Sequence, residues 1–158
     1  MIDSGTTVLE FVKALPDVSI QVMVDSLPAL NALSTYQHMQ VHVIGGKLNI
    51  DNGIFEGSLA HDTLSNCHFT KAFIGTDGID LRAGLTTTNT ANAQLTRLMA
   101  EQADEVYILA DLSKFYQRAL ASIMGFERIT AIITQQGVSD EFKELFLNKN
   151  IKLFEVDC

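Results

Sequence analysis

The chain has no tryptophan, two prolines, two cysteines and few cations. Its longest apolar stretches, such as Val22 to Val24 or Ile129 to Ile133, are strand-sized, far below the roughly 18 to 20 residues that a helical membrane span requires. No transmembrane helix is expected, and no membrane partner. The opening Met1-Ile2-Asp3-Ser4-Gly5 lacks a basic stretch followed by an apolar one, so it does not read as a secretory leader. Cys67 and Cys158 have no framework spacing, and reduced thiols in the cytoplasm are the expectation. His38, His42, His61 and His68 show neither an HxxxH pattern nor pairing with cysteine at metal-ligand spacing, so no metal site is expected. Walker and Rossmann glycine fingerprints and the Gly-x-Ser-x-Gly elbow are missing, and no cofactor is expected.

Basic residues are the scarcest resource. Eleven Lys and Arg stand against 19 Asp and Glu, a formal charge of −8, and such a field repels phosphate backbones and anionic lipid alike. Autonomous nucleic-acid binding is disfavoured. A phosphorylated small molecule is not, because it needs only a local cradle of N–H groups and one or two cations.

What is present is apolar patterning. With 158 residues, 47% of them hydrophobic, the chain is long enough to fill one core. No linker, low-complexity run or repeat divides it, so residues 1–158 read as a single domain. Short β-branched runs at Ile20 to Val24, Gln40 to Ile44, Lys71 to Ile74, Glu105 to Leu109, Ile129 to Ile133 and Ile151 to Val156 read as buried strands. Between them, Val8, Phe11, Val12 and Leu15 mark one face of a helix opening near Thr6 and stopping at Pro16. Leu27 to Leu33, Leu59 to Leu64, Ala91 to Ala103 and Asp140 to Leu147 repeat that pattern, the last with Ser139 as a cap. Strands alternating with helices predict an α/β fold, a mostly parallel central sheet with helices on both faces. Only Met1 and Ile2 precede the first turn-like cluster, too few for a central strand, and the chain reads as cut from something longer.

In open α/β sheets ligands bind beyond the carboxyl ends of the strands, so the polar residues after each strand are the candidate contacts. Asp3-Ser4-Gly5-Thr6-Thr7 sets a glycine and three hydroxyls at a helix N-terminus, either an anion site or an ordinary cap. Asp25-Ser26 is equally cap or ligand contact. Gly45-Gly46 permits close backbone approach or a plain turn. Gly75-Thr76-Asp77-Gly78-Ile79-Asp80, followed by Gly84-Leu85-Thr86-Thr87-Thr88-Asn89, offers two carboxylates beside hydroxyls, which suits a sugar or polyol. Asp111-Leu112-Ser113-Lys114-Phe115 adds a hydroxyl and an ammonium.

In this order, and with Lys71-Ala72-Phe73-Ile74 leading into Gly75, these motifs resemble the effector domain of DeoR-type sugar-operon repressors over essentially the whole chain. The resemblance implies the fold of ribose-5-phosphate isomerase and the coenzyme A transferases, with a sugar phosphate as inducer. It assigns the phosphate to Asp3, Ser4, Gly5, Thr6, Thr7 and Lys114. Asp77, Asp80 and the segment with Thr86, Thr87 and Asn89 would face the sugar, next to Gly75, and Gly45 and Gly46 would let the backbone approach it. It also implies a homo-oligomer, dimer or tetramer, that reaches operator DNA through an N-terminal winged helix absent from this chain.

Two positions depart from the family. Asp25 stands where the family commonly has Asn, an extra negative charge near the ligand. Asn92 stands where the family commonly has Glu; in the related isomerase a glutamate in this region removes a proton next to the carbonyl, which an amide cannot do at neutral pH. The expectation is therefore a sensor without catalytic residues. The competing readings are an aldose–ketose sugar-phosphate isomerase and an assembly module with a vestigial pocket.

Overall fold

A β-branched run that is apolar on both sides is stable only between two layers, and the chain builds such layers twice. The computed structural model describes residues 1–157, and Cys158 lies outside the described residues. Helix α1 (Thr6–Ala14), strand β1 (Gln21–Val24), α2 (Leu27–Leu33), β2 (Gln40–Val43), β3 (Lys47–Asn49) and β4 (Ile54–Glu56) come first. Then follow α3 (Ser58–Ser65), β5 (Phe69–Gly75), β6 (Gly78–Asp80), β7 (Gly84–Thr87), α4 (Thr90–Glu101) and β8 (Ala103–Leu109). Strands β9 (Ala121–Met124) and β10 (Ala131–Gln135), helix α5 (Asp140–Asn148) and β11 (Lys152–Val156) complete the chain, with single 3-10 turns at Leu112–Lys114 and Phe126–Arg128.

Parallel pairing runs β11-β10-β8-β5 on one side and β1-β2 on the other. The gap between β5 and β1 is closed by the first residues. Ile2 bridges Val24 and Phe73 in parallel, Ile2 N–H donates to Met23 and Asp3 N–H to Phe73, each over 2.9 Å. Two residues are therefore enough for the central position that their number argued against, because flanking strands supply both hydrogen-bond partners. Asp3 thereby sits at the carboxyl end of the middle of the sheet.

Alternation sorts the side chains. Ala72, Ile74, Val106, Ile108 and Ile132 face a core shared with Leu64 of α3, Met99 of α4 and Phe142 and Phe146 of α5. Ile2, Val22, Val24 and Leu109 face a second cluster with Val8 and Val12 of α1 and Ala29 and Leu33 of α2. The expected α/β architecture with helices on both faces is what the structure shows. Phe142 is fully buried, edge-on to Phe115 with ring centroids 5.0 Å apart. Phe154 is 46% exposed on the edge strand β11.

The five helices fall within a residue or two of their sequence-read spans. Ser139 occupies the N-cap of α5, yet its side chain makes no cap bond; its Oγ lies 2.7 Å from the Tyr116 hydroxyl. The antiparallel pieces, the β3-β4 hairpin and the β6-β7-β9 sheet, are not among the strands expected from sequence. At three or four residues each they are too short to show a period. No helix among the described residues is long and apolar enough to cross a membrane.

Candidate functional site

The carboxyl ends of the parallel strands open onto a cavity of about 300 Å³. Its floor comes from α1. Gly5 is the N-cap at φ 126°, a left-handed conformation that side chains with a Cβ resist, and no side chain caps the helix. The first helical bond runs from Leu9 N–H to Gly5, so the N–H groups of Thr6, Thr7 and Val8 meet no acceptor among the described residues. Free first-turn donors at the positive end of a helix form an anion cradle. Gly75 closes against this loop: a Cβ there would stand 2.8 Å from Ser4 O, and its N–H donates to Asp3 Oδ2 over 3.1 Å.

The opposite wall is built by the β6-β7 hairpin. Asp77 Oδ2 accepts Thr87 Oγ1–H at 2.8 Å, Thr88 N–H at 2.9 Å and Thr88 Oγ1–H at 3.1 Å. Partial burial opposes the charge of Asp77, but the Thr88 N–H and the two hydroxyls outweigh it and the Lys114 ammonium helps, so its pKa falls below the ordinary value. Asp77 therefore stays ionised at neutral pH. Lys114 lines the cavity from the 3-10 turn that follows β8. Asp111 caps that turn, accepting Ser113 N–H at 2.8 Å, which leaves Ser113 structural and Lys114 directed at the cavity.

Asn89 both lines the cavity and caps α4, its Oδ1 accepting Ala91 and Asn92 N–H at 3.0 and 3.2 Å. The structure thus brings Asp3, Ser4, Gly5, Thr6, Thr7, Gly75, Asp77, Thr87, Asn89 and Lys114 to one wall or another of this cavity. Ser26 lines a smaller adjoining depression with Ser4, Gly5 and Asn52.

Five expected contacts lie elsewhere. Asp25 is fully buried behind Asp3 and does not line the cavity. Thr86 is buried between strands, its Oγ1 donating to Gly78 O at 3.3 Å and accepting Ala119 N–H at 2.9 Å. Asp80 turns the hairpin by accepting Arg82 and Ala83 N–H at 2.9 and 2.7 Å. Gly45 and Gly46 make the turn into β3, where a Cβ on Gly46 would lie 2.5 Å from Glu56 O; their need for glycine is steric and local. Asn52 and Ile54 of the β3-β4 hairpin, and Val8, Leu109 and Ile123, complete the cavity wall without having been singled out. Among the described residues no three His, Cys, Asp or Glu side chains are grouped to hold a metal ion.

Fold and cavity define an α/β domain with a polar cavity at the carboxyl ends of its parallel strands. Residues 1–136 match the model of the DeoR C terminal sensor domain, and the chain belongs to that family. It is 33% identical over 139 residues to the putative aga operon transcriptional repressor of Escherichia coli O157:H7, which covers 87% of this chain and 52% of that protein. It is 31% identical over 144 residues to the HTH-type transcriptional regulator IolR of Bacillus subtilis (strain 168), covering 90% of this chain and 57% of the relative. The L-fucose operon activator of Haemophilus influenzae is 27% identical over 143 residues, 90% of this chain and 57% of its own length. The chain spans little more than half the length of these curated relatives. The family to which it belongs is a sensor domain.

Proposed function

We propose that the ligand is a phosphorylated sugar or polyol acting as inducer of a DeoR-type repressor of a carbohydrate operon. The observation that carries this reading is the convergence, in one cavity, of the uncapped first turn of α1, the Lys114 ammonium and an ionised Asp77. The first two suit a phosphate dianion and the third suits hydroxyl donors. The names of the aga and L-fucose operon regulators among the relatives support a carbohydrate.

The site is suited to recognition. Asn92, at the position where a base would be needed, carries an amide that cannot abstract a proton at neutral pH. Asp77, held ionised by three donors on one oxygen, is a weak base as well. Ligand binding would shift the population of conformations or of homo-oligomers, dimer or tetramer. A winged-helix DNA-binding segment outside these residues would read that shift on operator DNA. Asp3, Ser4, Gly5, Thr6, Thr7, Gly75 and Lys114 are proposed for the phosphate end, and Asp77, Thr87 and Asn89 for the sugar.

Thermal melts against triose, pentose, hexose and hexitol phosphates test the proposal. A ligand at about one hundred times its Kd stabilises by about 2.7 kcal/mol, several degrees in a domain of this size. Flat melts with every phosphate at millimolar concentration would contradict it.

A further inference from the structure

Two cavities meet at Asn92. The one described above carries the α1 cradle and Lys114, and beyond it lies a second of about 250 Å³ into which Glu56, Ser58, His61 and Gln94 project. Ile54, Asn89 and Asn92 belong to the walls of both. A ligand anchored at α1 and long enough to reach Asn92 would enter the second chamber.

The shared wall is unfinished. Asn92 Oδ1 is buried and meets no donor, while the Asn92 backbone N–H is held by Asn89 Oδ1 at 3.2 Å, which fixes the residue on the first turn of α4. A buried oxygen without a donor costs about 1–3 kcal/mol, and a ligand hydroxyl or amine would recover that cost. Glu56 adds a second acceptor. Its oxygens are approached by Asn49 Nδ2 only at 3.4 and 3.5 Å, leaving its charge and lone pairs available to the same end of a ligand. Asn92 Oδ1 and the Glu56 carboxylate both accept, and the charge of Glu56 repels an anion.

Resting on the sugar-phosphate reading, we infer that the effector is a phosphate ester longer than a triose whose end remote from the phosphate carries hydroxyl or amine donors, selected by Asn92 and Glu56. A carboxylate at that end is rejected by the charge of Glu56 and leaves Asn92 Oδ1 unpaired.

Calorimetric titration of this chain with three kinds of ester separates the possibilities: glycerol 3-phosphate, hexitol 6-phosphates of gluco, manno and galacto configuration, and the aldonic acid 6-phosphates of the same configurations. At least one hexitol phosphate should bind about tenfold or more tighter than its aldonate, the equivalent of one hydrogen bond to a buried acceptor. Asn92→Ala should weaken that hexitol phosphate about tenfold and leave glycerol 3-phosphate unchanged. Asn92→Asp, which keeps the shape and the acceptor, should retain the hexitol preference, and Glu56→Gln should narrow it. Equal binding of hexitol and aldonate, or equal loss of short and long esters in Asn92→Ala, overturns the inference while glycerol 3-phosphate binding preserves the reading beneath it. Failure of every ester to bind overturns both.

Discussion

The carboxyl groups of Asp3 and Asp25 face one another inside the protein, at the ends of neighbouring parallel strand segments, both buried and neither in an ion pair among the described residues. Burial raises both pKa values, that of Asp3 to about 6 and that of Asp25 well above its ordinary range, where the charge of Asp3 raises it further. A proton shared by the pair is held more tightly by Asp25, whose oxygens otherwise have no partner, while Asp3 keeps the acceptor role toward Gly75 N–H. With Asp25 protonated, its carboxyl is a donor, as an Asn amide in its place would be, and adds no charge near the ligand.

A pH dependence follows. Because the folded chain binds these protons more tightly than the unfolded one, this pair's contribution to stability is fully present below about pH 4 and is lost as pH rises through about 6 and beyond. Asp25→Asn supplies a donor that does not titrate. Its melting temperature relative to the parent should improve more at pH 8 than at pH 5. An equal difference at the two pH values would show that the pair carries no shared proton.

Thr6→Val separates cradle from cap. Gly5, not Thr6, is the N-cap and no side-chain cap bond exists, so the substitution should leave stability within about 0.5 kcal/mol while weakening phosphorylated ligands. Gly5→Ala, at φ 126°, should instead lose stability as well, by about 1 kcal/mol or more. Chemical denaturation beside ligand titration checks both.

Lys114→Met removes the ammonium and keeps the aliphatic stem. Phosphorylated ligands should weaken by about tenfold or more, their unphosphorylated sugars little. Equal loss for both would make Lys114 a structural residue.

Asp77→Asn keeps an oxygen for the Thr88 N–H but forfeits the charge that strengthens three hydrogen bonds on one atom. Loss of about 1 kcal/mol is expected at pH 7. In the parent this contribution is present above about pH 4, the ordinary carboxylate value, and disappears as pH falls through the lowered folded value, so the two proteins should converge in stability as the pH drops well below 4. A difference independent of pH would assign the loss to packing.

Much of the sheet was legible because β5, β8 and β10 carry apolar residues on both faces, and α2 because Leu27, Leu30 and Leu33 repeat at helical spacing. The β3-β4 hairpin was not, since three-residue strands leave no period to read, and with it went Asn52 and Ile54. The site was half legible for a chemical reason. Asp80 and Asp77 have the same side chain a few residues apart, but one accepts the N–H groups of its own hairpin turn while the other reaches across to the Thr87–Thr88 segment beside the cavity. Thr86 and Thr87 differ only in which side of β7 they occupy. Asn89 proved to be both of the alternatives, a helix cap and a cavity wall.

The most direct measurement is electron density for the tightest-binding sugar phosphate soaked into crystals of this chain. The phosphate oxygens should lie within hydrogen-bond distance of the N–H groups of Thr6 and Thr7 and of Lys114 Nζ, with the sugar running between Asp77 and Asn92. A phosphate bound in the Glu56 chamber, or anywhere away from the first turn of α1, would contradict it.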